Sequence, residues 1–317
     1  MVLLLGATGL LGRNVLQVLL ERGIPVRALV RSTLDVPGVE VVKGSILSRE
    51  DLLKAADGCD AIINCAGTTD MTLPSVEDFL PVNRDLPAML CDVATLSGIK
   101  VMVHTSTANT IVTGTPDRPS DESAPFGPPY DRSPYAISKK AGEDALIEYA
   151  SAHPELRIVI VNPGFMLGAY DSKPSSGQMV LLGWKKPLVF VTRGAKSILH
   201  VRDAAKAIVN ALDSGEGRYL LTGECLTLKE FFRIQARVGG YRQLCIALPN
   251  WMAGLLGVIG SLLRFLRIKT ELYPHNVNQL LYEEWYSSAR AREELGYTLT
   301  PVDDAIRDFV DWYYKKC

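Results

Sequence analysis

Val2-Leu3-Leu4-Leu5-Gly6-Ala7-Thr8-Gly9-Leu10-Leu11-Gly12 opens the chain. Four apolar residues without polar alternation predict a parallel strand covered on both faces. Glycines at three-residue spacing follow at once, and residues from about Arg13 to Leu20 then carry Val15, Leu16, Leu19 and Leu20 in a helical rhythm. In such a strand–turn–helix unit Gly6 permits the tight turn, Gly9 lets a phosphate reach the backbone, and Gly12 lets helix and strand pack closely. The helix start offers unpaired N–H groups and the positive end of its dipole to a pyrophosphate. A glycine turn can also be purely structural, and it is the flanking strand and helix that argue for a phosphate cradle.

Further strand-like runs at 26–30, 39–42, 61–64, 101–105 and 157–162 alternate with helical stretches. This predicts an α/β fold, a doubly wound parallel (Rossmann) sheet with right-handed crossovers. Residues 1–164, with about 199–222, are expected to form mainly the nucleotide-binding domain. Residues 165–198 and 223–317 are expected to form mainly a smaller, interleaved substrate lobe. The Pro-, Gly-, Ser- and Asp-rich stretch from Ile111 to Pro134 reads as a substrate-facing loop.

Thirty-four Lys and Arg against 35 Asp and Glu leave a net charge of −1 over 317 residues, which gives no electrostatic reason to expect nucleic acid. Six cysteines without C-x-x-C spacing fit reduced thiols and a cytoplasmic location, and four dispersed histidines predict no metal site. The opening run lacks a basic segment before it and contains the glycine loop, so it reads as a strand and not as a signal peptide. Leu244 to Leu263 contains no charge and precedes Arg264, Arg267 and Lys269. Pro249-Asn250 interrupts it, so it reads as a buried or substrate-covering helix, with peripheral membrane contact and a transmembrane span as alternatives.

A second motif is Ser133-Pro134-Tyr135-Ala136-Ile137-Ser138-Lys139. Spacing of i and i+4 puts the phenol and the ammonium on one helix face. The neighbouring cation is expected to lower the phenol pKa from about 10, making Tyr135 a general acid or base. Three hydroxyl residues, Thr105-Ser106-Thr107, end the strand that begins at Val101, where doubly wound sheets bind ligands.

Together these motifs resemble the extended short-chain dehydrogenase/reductase family, with its Gly-x-x-Gly-x-x-Gly, its Ser or Thr, and its Tyr-x-x-x-Lys. The similarity runs on through Asn64-Cys65-Ala66-Gly67, Val82-Asn83, Asn162-Pro163-Gly164-Phe165-Met166, His200-Val201-Arg202-Asp203 and the segment 286–301. It is strongest to the epimerase/dehydratase branch, among dihydroflavonol-reductase-like proteins and those called hopanoid-associated sugar epimerases. The resemblance implies catalytic roles for Thr107 (with Ser106 as runner-up), Tyr135 and Lys139. It implies cofactor contacts from Gly6, Thr8, Gly9, Leu10, Leu11 and Gly12, from Arg31 and Ser32, and from Ser45 and Ile46. Cys65, Ala66, Gly67, Thr105, Tyr135, Lys139, Pro163, Gly164, Phe165 and Met166 complete that set, and a homodimer is common in the family. The substrate cleft is expected to be bordered by Thr68, Thr69, Asp70, Thr107, Tyr130, Phe165 and Met166.

Departures from the family pattern narrow the function. Ala108-Asn109 stand where dehydratases have Asp-Glu, which argues against dehydration. Gly44-Ser45 lacks the usual carboxylate, and Lys196 replaces an Arg that binds diphosphate in sugar-nucleotide epimerases. The leading expectation is an oxidoreductase interconverting a carbonyl and an alcohol on a small or bulky hydrophobic substrate, toward which the apolar Phe165, Met166 and the 244–263 run lean. The alternative is a sugar or nucleotide-sugar epimerase that retains its nicotinamide. A non-catalytic sensor would not need both Tyr135 and Lys139.

At the end of the second strand, where an Asp or Glu would favour NAD, stand Arg31 and Ser32. A guanidinium fork suits a 2′-phosphate, so NADP(H) is expected to be preferred, with NAD(H) also accepted. Arg31→Asp should raise KM for NADPH strongly and spare NADH; an unchanged preference in steady-state kinetics would remove Arg31 from the site.

Overall fold

A strand buried on both faces must be apolar at every position, and Val2–Leu5 (β1) meets that demand with all four residues buried. The computed structural model describes residues 1–249 and 279–316, together with Trp251, Met252, Leu255, Ile259, Leu266 and Val277. From β1 the chain runs through α1 (Leu10–Glu21), β2 (Val26–Val30), β3 (Val39–Lys43), α2 (Arg49–Ala56) and β4 (Ala61–Asn64). A π-helical turn (Pro81–Asp85) leads into α3 (Leu86–Leu96), and β5 (Val101–Thr105) is followed by a 3₁₀ turn (Ala108–Thr110). Helix α4 (Pro134–Ala152), β6 (Arg157–Pro163) and β7 (Phe165–Leu167) come next. Then follow α5 (Gly177–Gly183), β8 (Leu188–Val191), β9 (Ala195–His200), α6 (Val201–Asn210), β10 (Gly217–Leu221) and β11 (Glu224–Thr227). The described chain ends with α7 (Leu228–Gly239), β12 (Leu244–Ala247), α8 (Ala289–Leu295) and α9 (Val302–Lys316).

Seven strands form one sheet in the order β10-β6-β5-β4-β1-β2-β3, parallel throughout. The order reverses between β1 and β4, so the loops after β1, β4, β5 and β6 gather at the carboxyl edge beside the crevice where such sheets take ligands. Two apolar layers cover the sheet. Val15, Leu16, Leu19, Ala204 and Ile208 belong to one; Leu52, Leu86, Leu90 and Leu146 belong to the other.

The six strand-like runs read from the sequence are all strands of this sheet. The seventh, β10, was not anticipated; its Gly217-Arg218 start interrupts the apolar signal that marks the others. Helix α1 begins at Leu10, earlier than expected, because the glycine loop feeds straight into it with Gly9 as N-cap.

A second cluster is built by a three-stranded sheet, β11-β9-β7, and a parallel pair, β12-β8. Val180, Phe231, Phe232, Ile306 and Phe309 fill its core. Helix α7 starts with a capping box in which Thr227 and Glu230 satisfy each other's backbone N–H groups. The expectation of a helix beginning at Leu244 is corrected here. Leu244 and Ile246 point out while Cys245 packs inward against this core, which is the two-residue period of a strand. Trp251, Leu255 and Ile259 are exposed, which also counts against a buried element. The rest of that apolar run, with Arg264, Arg267 and Lys269, lies outside the described residues. Among the described residues no helix is long and apolar enough to cross a membrane.

Helix α4 crosses the π-helical turn at very short range: a Cβ at Gly142 would stand 2.1 Å from the Asn83 carbonyl oxygen. Gly142→Ala should therefore destabilise the fold by about 1–3 kcal/mol, measured as a lower urea midpoint.

Candidate active site

The glycine loop is shaped by backbone contact. Gly6 adopts φ +80°, and a Cβ there would lie 2.6 Å from the Cys65 carbonyl carbon. A Cβ at Gly12 would lie 2.1 Å from the Gly6 oxygen, so strand and helix meet without side chains between them. Gly9 differs: the nearest atom to a Cβ would be 3.5 Å away, so its bareness serves the open side and not internal packing. The N-terminus of α1 has no side-chain cap and no acidic residue in its first turn. A loop with an open glycine face leading to an uncapped helix start fits a pyrophosphate.

Arg31 and Ser32 stand exposed at the end of β2. After β3, Ser45 N–H donates to Asp51 Oδ2 of α2 at 2.8 Å. Ile46 is half-buried beside it. After β4, Asn64 Oδ1 accepts from Ala66 N at 3.0 Å, and Cys65 takes a hydrogen bond from Thr105 Oγ1 at 3.7 Å. Asn83, fully buried, holds both Thr68 N (2.9 Å) and Thr68 O (3.0 Å) and donates to Ser138 Oγ at 3.0 Å. One carboxamide thus joins the loop after β4 to α4. Gly164 lies against β9, where a Cβ would stand 2.7 Å from the Ser197 oxygen, and Phe165 and Met166 begin the half-buried β7.

Ser133 caps α4 by accepting from Ala136 N, and Pro134 occupies the first turn, where its missing N–H costs nothing. Tyr135, Lys139 and Glu143, four residues apart, share one buried face of this helix. The Thr107 side chain stands near the Tyr135 phenol and acts to lower its pKa. Ser106 Oγ is buried and makes no hydrogen bond with a described residue. The Lys139 ammonium donates to Thr105 O at 3.0 Å and lies beside Gly67.

Electrostatics depart from the sequence reading. Burial pushes the Tyr135 phenol up to about 12, and the nearby Thr107 hydroxyl opposes it. The expected lowering by Lys139 is not found: desolvation dominates, and the ammonium is turned to the Thr105 carbonyl. Burial also depresses Lys139 to about 8, with the Glu143 charge working to raise it.

Glu143 was not singled out by sequence, although Tyr135, Lys139 and Glu143 continue one four-residue spacing. Its Oε1 accepts from Thr110 Oγ1 (2.8 Å) and from Asn162 Nδ2. Thr110 Oγ1 and Asn162 Nδ2 also donate to the Thr107 carbonyl at 2.9 and 3.1 Å. Arg218 pairs with its second oxygen at 3.4 Å. The carboxylate therefore fixes the backbone of Thr107 to the helix bearing Tyr135 and Lys139.

Tyr130 is corrected as a cleft-wall residue. It is fully buried, and its hydroxyl donates to Glu284. The same Glu284 oxygen pairs with Lys196, and its other oxygen accepts from Ser197 N at 3.1 Å. Lys196 is thereby neutralised. His200 caps α6 by accepting from Arg202 N at 3.1 Å. No group of three potential metal ligands converges among the described residues.

A family model described as the NAD dependent epimerase/dehydratase family matches residues 2–220. The chain is 28% identical over 330 residues to sterol demethylase protein B of Methylococcus capsulatus, with 99% of this chain and 98% of that protein covered. It is 29% identical over 305 residues to the 4-hydroxy-2-methyl-3-oxo-4-farnesyl-3,4-dihydroquinoline-1-oxide ketoreductase of Stigmatella aurantiaca, with 92% and 90% covered. The crystal structure of gox2253 matches it with a TM-score of 0.84 at 26% identity, covering 100% of this chain and 98% of that one.

The buried charges set an expected pH response. Lys139 is an ammonium below about 8 and neutral above it, so kcat/KM should fall as pH rises through that value. Glu143→Gln keeps an acceptor oxygen but removes the charge that favours the ammonium, so the falling limb should move to lower pH. A pH–rate profile checks this; a limb that stayed in place would separate Glu143 from Lys139.

Proposed function

The chain belongs to the NAD dependent epimerase/dehydratase family and is an NAD(P)-dependent oxidoreductase, and from that premise we propose that it interconverts a carbonyl and an alcohol on a bulky hydrophobic substrate, with NADP(H) preferred. The observation that carries the proposal is the meeting of Thr107, Tyr135 and Lys139, all buried, at the carboxyl edge of the sheet beside the glycine loop and Gly164. When bound, the dinucleotide supplies or receives the hydride at the substrate carbon. Gly6, Gly9, Gly12 and the start of α1 would hold its pyrophosphate, and Arg31 with Ser32 its adenosine end.

Tyr135 is a neutral phenol at ordinary pH, which suits it to donate a proton to a carbonyl oxygen as hydride reaches the adjacent carbon. Thr107 is placed to donate to the same oxygen and stabilise its developing charge. Lys139, fixed by Thr105 O, keeps a buried positive charge on the same helix face as Tyr135. The balance is one hydride and one proton added, one alcohol formed.

Neutralisation of Lys196 by Glu284 supports a substrate without a diphosphate, because a nucleotide sugar would need that cation. The names of the two relatives, which refer to a sterol and a farnesylated quinoline, agree with a large apolar ligand.

The test is a panel of hydrophobic ketones and nucleotide sugars, followed at the reduced-nicotinamide absorbance. Net oxidation of NADPH by a hydrophobic ketone is expected; isomer exchange of a nucleotide sugar without net cofactor change would replace this reading by an epimerase. Tyr135→Phe should lower kcat by about 10²–10⁴-fold while cofactor binding persists.

A further inference from the structure

The outer face of the β8–β12 pair has no covering element among the described residues. Parallel register sets Leu188 opposite Leu244 and Phe190 opposite Ile246, so four large apolar side chains form one block. They are 40%, 62%, 60% and 40% exposed, in that order, whereas Val189 and Val191 on the inner face are buried. Single exposed apolar residues are ordinary, but a contiguous block marks a surface that meets something apolar. Trp251, 70% exposed, follows a few residues after β12 and adds an aromatic ring of the kind that settles at a membrane–water boundary.

Charge selects the occupant. Lys185 and Lys186 lead into β8, Arg193 follows it, and Arg242 precedes β12. All four are exposed, and none forms an ion pair with a described residue. A second copy of the chain meeting this face about a twofold axis would bring like cations together, which costs free energy. Anionic headgroups over an acyl layer match both features at once, the cations at headgroup level and the apolar block just below it.

We propose that the β8–β12 face docks the protein on an anionic phospholipid surface. Docking of this kind is interfacial and reversible, because the apolar block reaches only part-way into one leaflet. It stands independently of the proposed reaction, since it concerns a different surface and is read without turnover.

The experiment is co-sedimentation of the full chain with vesicles of phosphatidylcholine alone or with added phosphatidylglycerol. Binding is expected only to the anionic vesicles and should weaken at high salt. Phe190→Asp, and separately the pair Lys185→Glu with Lys186→Glu, should each lower the bound fraction by about tenfold or more. Unchanged melting and dinucleotide binding would show that each variant is folded. If Phe190→Asp does not fold, the exposed lysine pair decides alone. No sedimentation with either vesicle, or equal binding by the folded variants, overturns the proposal. So does a dimer in light scattering that Phe190→Asp dissociates, which would assign the face to a second copy.

Discussion

Helix α4 carries a phenol, an ammonium and a carboxylate into the interior on one face, and the active-site architecture depends on their being satisfied there. Tyr135, Lys139 and Glu143 are 9%, 3% and 0% exposed. A buried charge left without partners costs several kcal/mol, so each must be answered by a fixed group. Lys139 is answered by the Thr105 carbonyl, and Glu143 by Thr110, Asn162 and Arg218. Thr105 ends β5, Thr110 lies in the turn that follows and Asn162 lies near the end of β6, so satisfying the helix also fixes that carboxyl edge, while Arg218 reaches in from the start of β10.

Glycine performs the complementary task where polar partners are absent. At Gly6, Gly12, Gly142 and Gly164 backbone approaches backbone so closely that any side chain would collide. The first two bring strand, loop and helix together, the third seats α4 on the Asn83 turn, and the last brings the end of β6 against β9. Within the glycine loop, Gly9 differs in leaving its Cβ position free of any atom closer than 3.5 Å. The loop is thus rigid on its inner side and bare on the side where a phosphate would lie.

The strands were legible because a parallel strand covered on both faces leaves no room for polar interruption, and Val2–Leu5 or Ala61–Asn64 show none until their ends. The glycine loop and Tyr135–Lys139 were legible because each is a local pattern. Long-range facts were not. Nothing near Tyr130 announces Glu284, which lies 154 residues away. Spacing along α4 revealed which groups share a face, but not that burial would outweigh the lysine in setting the phenol's affinity for its proton. In the Leu244–Ala247 stretch, an uncharged run concealed a two-residue alternation that only pairing with β8 made visible.

Asn83 grips the loop after β4 with one hand and the Tyr135 helix with the other through Ser138. Neither element can drift without dragging its neighbour. In a lineage exploring new ligands, change should therefore accumulate in walls free of this tether, such as the 111–134 loop, while the floor stays put. Descendants would diverge in what they accept long before they diverge in how they handle it.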